Sequence, residues 1–316
     1  MEHQIDNKNI GQSALFFLDH LRFTYRDNKN IFFKYIVYSL GRVLTYPYRK
    51  VVQFFDTSEE RYKQIVKGKK EIKLNILGNK MLLPVADEGL SKDLVLEGIR
   101  EPNSVKCFFK EYKPNMNTID LGANLGYYLL MEAKIAKKGT GKIYAVEPNP
   151  LTFAYLKKNI KLNRYNGITL MNMAISDKKG TLPFYMSKMW NCSRFVKGDA
   201  SDIIGVKKMR VDTLDNLFGD KKIDFIRMDV EGYEFNILKG AKKLIKNNPG
   251  ISIFFEFHAQ FFNTPQRKEF VKFLKENNLE VKYLFTGNRN IFAKRTYKDI
   301  INARYTTYYL YLTRKE

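Results

Sequence analysis

Two rhythms of apolar and polar positions divide this chain. Between residues 72 and 85 apolar side chains recur at every second position: Ile72, Leu74 and Ile76, then Met81, Leu83 and Val85, with Gly78-Asn79 between the runs. A period of two around a turn dipeptide predicts a β-hairpin. Helical spacing takes over across 90–99 and 104–112. From Pro114 onward short apolar runs alternate with longer amphipathic stretches. Strands are expected over 118–121, 142–146, 169–174, 224–229 and 251–257. Helices are expected over 128–137, 151–163, 233–239 with 241–246, and 266–277. Such alternation builds an α/β domain, a mostly parallel sheet with helices on both faces. Runs at 281–285 and 307–312 can add two more strands. A strand pair over 181–186 and 207–211, joined by the loop 187–205, interrupts the alternation as an insertion.

The turn after the first core strand points to the chemistry. The run Thr118-Ile119-Asp120-Leu121 passes into Gly122-Ala123-Asn124-Leu125-Gly126 and then into the helix starting near Tyr127 and Tyr128. A buried strand opening on a small-residue loop and a helix N-terminus is how open α/β sheets hold nucleotide-like ligands. The dinucleotide fingerprint needs a glycine where Asn124 stands, so close approach of a pyrophosphate is not provided for. Asp120 would repel a phosphate and suits an ammonium or sulfonium instead. The second strand ends in Glu147, followed by Pro148, and an acid there is placed to hydrogen-bond ribose hydroxyls. Together the two acids describe an adenosine carrying a cationic amino-acid tail, and S-adenosylmethionine (SAM) fits.

Four separated stretches carry a resemblance: Asp120-Leu-Gly-Ala-Asn-Leu-Gly-Tyr-Tyr128, Ala145-Val-Glu-Pro-Asn-Pro150, Ala174-Ile-Ser-Asp177 and Met228-Asp-Val-Glu-Gly-Tyr-Glu234. In order and spacing the chain resembles the FkbM-type SAM-dependent methyltransferases over about residues 82–258. The resemblance implies a Rossmann-like SAM methyltransferase fold with a seven-stranded sheet, one of its last strands antiparallel, and the hairpin and cover helices beside the site. It implies that Asp177 holds the adenine amino group and the Ile175 backbone a ring nitrogen. It implies an O-methyltransferase acting on a hydroxyl, of a sugar in a glycan, polysaccharide or glycolipid, or of a small natural product.

A hydroxyl acceptor must lose its proton as the new bond forms, so a base belongs within hydrogen-bond reach. Asp229 and Glu231, two apart at the end of the fourth strand and expected on one face, are candidates for that base or for orienting the acceptor. His258 is the rival base. Paired carboxylates also suit Mg²⁺, although a metal is not needed for methyl transfer and is not favoured. The loop with the single tryptophan, Trp190, and with Asn191, Ser193 and Arg194, offers a flat aromatic among hydrogen-bonding groups, which suits a sugar ring. Glu256 is expected beside it at the acceptor.

Composition changes the picture in three places. The 316 residues, 44% of them hydrophobic, suffice for an extension over 1–67 and a catalytic domain over 68–316, with hairpin and cover helices at 68–115 and the core at 116–316. Lys and Arg number 55 against 33 Asp and Glu, a net charge of +22, which favours polyanions. An RNA ribose methyltransferase is therefore the second reading. Amino-group methylation of bases is disfavoured, because the fourth motif is Asp-Val-Glu-Gly rather than Asn-Pro-Pro-Tyr or Asp-Pro-Pro-Tyr. Two cysteines and three histidines make no disulfide framework or His-rich metal site and suit a reducing, cytoplasmic setting. The polar first dozen residues show no signal peptide. Residues 31–55 mix aromatics with Lys34, Arg42, Arg49 and Lys50, and their uncharged stretch is too short to span a bilayer. They either cover the catalytic domain or form a peripheral membrane contact.

Overall fold

A computed structural model describes residues 58–195, 200–286, 295–303 and 307–315. The segment 31–55, and with it most of the expected helical extension, lies outside the described residues. Among those described, the chain opens with helix α1 (Ser58–Val66) and the hairpin β1 (Glu71–Ile76) and β2 (Asn79–Pro84). Two helices follow, α2 (Leu90–Glu97) and α3 (Pro102–Glu111). The core then runs β3 (Thr118–Leu121), α4 (Tyr127–Ala136), β4 (Ile143–Val146), α5 (Pro150–Asn163) and β5 (Ile168–Met171). Next come β6 (Ala174–Ile175), β7 (Gly180–Ser187), β8 (Ile203–Asp212), α6 (Leu214–Phe218) and β9 (Phe225–Met228). The chain finishes with α7 (Glu234–Lys239), α8 (Lys242–Asn247), β10 (Ser252–His258), α9 (Thr264–Glu276), β11 (Leu279–Phe285), α10 (Tyr297–Ile301) and β12 (Thr307–Arg314).

The described residues form a seven-stranded sheet in the order β11-β12-β10-β9-β3-β4-β5. The block from β10 to β5 is parallel, and β12 is antiparallel to both its neighbours. The central strands β3 and β9 are buried at every position, as parallel strands covered on both faces must be. Ligands in such sheets bind beyond the carboxyl ends of the strands, where the order reverses. Here that is the mouth between β3, β4 and β9.

One expected strand is two. Residues 168–171 pair with β4, whereas Ala174–Ile175 leaves the main sheet and pairs with β8 in a second, three-stranded sheet β6-β8-β7. The insertion is thus anchored to the core by β6 and lies over the strand ends. The hairpin is anchored differently. Asn159 and Asn163, one turn apart on α5, bind the free edge of β2: Asn159 Oδ1 accepts from Leu82 N–H (2.7 Å) and Asn163 Oδ1 from Lys80 N–H (2.8 Å). Their amide groups donate back to the Leu82 and Lys80 carbonyls. Side chains thereby satisfy backbone groups that an open strand edge would leave to other chains. Tyr62 of α1 is buried in the hydrophobic cluster that holds the hairpin, α2, α3 and Trp190, and its hydroxyl donates to Val85 O. The end of the expected extension therefore packs on the catalytic domain.

Candidate active site

Gly122 sets the geometry of the mouth. It adopts a left-handed backbone (φ +75°), and a Cβ there would stand 2.0 Å from the Asp229 carbonyl oxygen. Only glycine lets the turn after β3 close against the end of β9, where Asp229 N–H donates to Leu121 O. Asn124 is also left-handed (φ +51°), and its Oδ1 caps the Leu125 N–H, a conformation that Asn tolerates and most side chains do not. Gly126 is left-handed as well (φ +98°), and a Cβ there would also press on Leu156 of α5.

Beyond the strand ends lies a cavity of about 600 Å³. One wall is Leu121, Gly122, Asn124, Glu147 and Pro148, and the other is Ala174, Ile175, Phe184 and Tyr233. Glu147 is 5% exposed, and its two oxygens accept from the Asn124 and Asn149 N–H groups (2.8 and 2.7 Å). Burial pushes its carboxyl up to about 7, against the lowering effect of these bonds. The Thr152 hydroxyl also bonds to it, and a carboxylate has about four acceptor positions, so Glu147 retains capacity for a ribose hydroxyl. The opposite wall is aromatic: Phe184 lies 5.0 Å from Phe195, which lies 5.6 Å from Tyr233. A polar end and a flat apolar end fit an adenosine. Asp229 lines the cavity and supplies negative charge for a sulfonium. The residues present therefore fit SAM.

Asp120 does not face this cavity. Its side chain is fully buried and lies at the same register as Arg227 on the neighbouring strand. Arg227 Nη1 donates to Asp120 (3.3 Å) and to the Gly122 carbonyl (3.2 Å), and Nη2 to Asp229 (3.1 Å). The guanidinium also lies 4.3 Å from the centre of the Tyr128 ring. A buried carboxylate needs a partner, and the one within reach is this arginine rather than a ligand. Asp120 therefore acts on the site through Arg227, which fixes both the glycine turn and Asp229. Arg227 belongs to no motif in the sequence, although an arginine inside the apolar run 225–228 is itself a signal, since buried charges occur almost only when paired.

The acidic turn after β9 is not extended. The strand ends at Met228, and Glu231 (φ +54°) and Gly232 (φ +93°) bend the chain. Asp229 and Glu231 are thus brought together by a turn, not by strand alternation. Glu234, at the start of α7, accepts from the Gly232 N–H (3.1 Å). His258 closes the group from β10. Its Nε2 lies 3.5 Å from Glu231 and 3.4 Å from Glu256, and its Nδ1 3.4 Å from Glu234. Burial works against its charge, but the three glutamates outweigh burial and push the imidazole up to about 10. At neutral pH His258 is a cation. The expectation that it is a base is therefore corrected: it has no lone pair to give. Burial, then Asp229, push Glu231 up to about 7 even though His258 opposes them. Glu256 is likewise raised by burial.

The tryptophan loop closes the cavity from above. Trp190, Asn191, Ser193 and Arg194 all line it, but the Trp190 ring is 9% exposed and packs toward Tyr155 (6.1 Å). The ring is thus part of the core and anchors the insertion, rather than offering its face to a sugar ring. The loop is held by Asp87, whose Oδ1 accepts from Trp190 N–H, and by Asn191, whose Oδ1 accepts from Leu90 N–H. Asp177 is exposed, accepts from the Ser176 hydroxyl, and does not line the cavity, whereas Ile175 does. Ala123 and Tyr127 line a second, smaller cavity that shares Gly122, Asn124, Asn191 and Asp229 with the first and adds Arg100 and Glu101. Arg100 and Glu101 carried no motif in the sequence. Among the described residues no three His, Cys, Asp or Glu side chains converge as a metal site.

The chain is similar to known proteins to different extents. The 2-O-methyltransferase NoeI of Sinorhizobium fredii is 26% identical over 171 residues, 47% of this chain and 69% of that protein. Methyltransferase 1 of Beauveria bassiana is 24% identical over 143 residues, 39% and 57% of the two chains. The crystal structure of a methyltransferase FkbM from Methylobacillus flagellatus superposes with a TM-score of 0.43 at 15% identity, over 70% of this chain and 52% of that one. The chain thus spans only about half to two thirds of the length of these relatives. Residues 120–282 match the methyltransferase FkbM domain, and the chain belongs to that family of SAM-dependent methyltransferases.

Proposed function

We propose that the protein is an O-methyltransferase that moves a methyl group from SAM to a hydroxyl of a sugar in a glycan, polysaccharide or glycolipid. The observation that carries this reading is Glu231. Its carboxyl is held near neutrality, within electrostatic reach of Asp229, which lines the donor cavity. A base tuned to the working pH is what removal of a weakly acidic hydroxyl proton needs. When bound, SAM supplies a methyl group on a sulfonium leaving group. Glu231 accepts the acceptor's proton, and Asp229, held by Arg227, orients the hydroxyl. The imidazolium of His258 keeps three neighbouring glutamates compatible in one small volume. Its Glu256 contact and the Arg227–Asp229 pair leave the working carboxylates rigidly placed, and such alignment is the main demand of a displacement reaction. The similarity to NoeI, a 2-O-methyltransferase, supports a hydroxyl acceptor.

The surplus of basic residues favours a second reading, methylation of RNA ribose. Transfer of labelled methyl from SAM into separated lipid-linked glycans, polysaccharide and RNA distinguishes the two. Label in a glycan fraction is expected, and label in RNA alone overturns the sugar reading. A peripheral membrane contact through residues 31–55, at the inner face, belongs to the same proposal. Flotation with anionic vesicles, abolished by deleting 31–55, is its test. No helix among the described residues is long and apolar enough to cross a membrane.

A further inference from the structure

The smaller cavity, about 320 Å³, opens from the donor cavity across the shared residues Gly122, Asn124 and Asp229. It carries a pair of opposite charges on adjacent residues. Arg100 Nε donates to Glu101 Oε1 (2.8 Å), and Arg100 Nη1 reaches Asp93 (3.4 Å). Burial works against the charge on Arg100, but Glu101 and Asp229 hold it protonated. Glu101 sits in the left-handed region (φ +54°) immediately before Pro102. That conformation is costly for glutamate and persists only where surrounding contacts impose it. Those contacts come from the donor turn itself. The Tyr127 hydroxyl donates to Arg100 O (2.9 Å) and accepts from Arg100 N–H (3.1 Å), and the Tyr128 hydroxyl donates to Glu101 Oε2 (3.3 Å). The two tyrosines that follow Gly126 therefore lock these charges at one end of the cavity, while Glu147 marks the ribose end.

We propose that Arg100 and Glu101 form the subsite for the amino-acid tail of the donor. Arg100 binds the α-carboxylate and Glu101 the α-ammonium. The proposal rests on the larger cavity being the SAM site. A zwitterion needs one cation and one anion a few ångströms apart, and the guanidinium, with five donors, can serve Glu101 and a second carboxylate together. The resulting affinity is selective for the tail rather than for the nucleoside.

Calorimetry with four ligands tests this without measuring methyl transfer. The ligands are S-adenosylhomocysteine, its analogue without the amino group, decarboxylated SAM, and methylthioadenosine, which lacks the whole tail. The native protein is expected to bind S-adenosylhomocysteine about ten- to a hundred-fold more tightly than methylthioadenosine, the worth of one charge-assisted hydrogen bond or more. Arg100→Gln is expected to lose that advantage for ligands with a carboxylate and to bind decarboxylated SAM unchanged. Glu101→Gln is expected to weaken ligands with an amino group and to spare the deaminated analogue. Neither variant should alter methylthioadenosine binding. Equal affinity of the native protein for S-adenosylhomocysteine and methylthioadenosine overturns the proposal, with no variant required. Unchanged S-adenosylhomocysteine binding in both variants overturns it, as does an equal loss across all four ligands. If the native protein binds none of the four, the donor site itself is misplaced, a separate outcome.

Discussion

At the scale of single residues the site is a set of buried charges whose values are moved by burial and by each other. Glu231 titrates near 7 and acts as a base only when deprotonated. The rate of methyl transfer is therefore expected to rise with pH through about 7. Glu231→Gln should lower kcat by about 10²- to 10⁴-fold, the usual contribution of a positioned base, and leave S-adenosylhomocysteine binding intact. A kinetic pH profile and calorimetry check both parts, and full activity in the variant removes Glu231 from the mechanism. Stability should follow the same groups. Glu147 and Glu231 stand near 7 when folded, above the ordinary 4.5. Between those values the folded state binds more protons than the unfolded chain, so the two carboxyls favour folding at low pH and that contribution fades as pH rises. His258 adds in the same sense at higher pH, since its folded value near 10 exceeds 6.5. Melting temperature measured without ligand is expected to fall from pH 5.5 to pH 8 in the native protein, and to fall less in a Glu147→Gln variant.

At the scale of elements, two turns and one loop make the cavity. Gly122→Ala would place a methyl group 2.0 Å from the Asp229 carbonyl in a backbone already left-handed. The turn after β3 must then move away from β9. Strain and clash together are expected to cost roughly 1–3 kcal/mol of stability and to abolish measurable donor binding, read by melting temperature and calorimetry. The tryptophan loop offers a direct optical readout. Trp190 is the chain's one tryptophan and it lines the donor cavity. Adding S-adenosylhomocysteine is expected to change its fluorescence saturably. Asp87→Ala, which removes the acceptor of the Trp190, Gly89 and Ser91 N–H groups, should red-shift the emission before ligand is added. Emission indifferent to the ligand would place the donor elsewhere.

At the scale of the whole molecule, a net charge of +22 surrounds a reaction centre that gathers Glu231, Glu234 and Glu256 around one histidine, with Asp229 near Glu231. Basic surface and acidic centre ask different things of an acceptor. A polyanion would be held by counterion release, and its affinity would drop by about 10³ or more between 50 and 200 mM salt if several phosphates were contacted. A neutral sugar hydroxyl meets carboxylates as a hydrogen-bond donor and is largely indifferent to salt. Transfer to a neutral glycan fraction is therefore expected to change by less than about two-fold over the same range. A steep salt dependence of turnover would instead favour RNA.

The alternation of short apolar runs with amphipathic stretches determined the parallel sheet, because burial on both faces leaves no other pattern for strands such as 225–228. The small-residue turn beside Asp120 and the acid at Glu147 determined the ligand class, because local backbone shape and charge decide what can approach. The sequence could not show that Asp120 spends its charge on Arg227, since that contact joins residues 107 apart through strand register. Nor could it show that His258 is a cation, because its charge depends on Glu231 and Glu234 in the turn after β9 as well as on Glu256 of its own strand. Trp190 suited a sugar ring on sequence because aromaticity is local, whereas its burial comes from a cluster shared with the hairpin, α2 and α3. Periodicity and turn chemistry are properties of neighbours along the chain. The state of a buried charge belongs to neighbours in space, and only the tertiary structure assembled them.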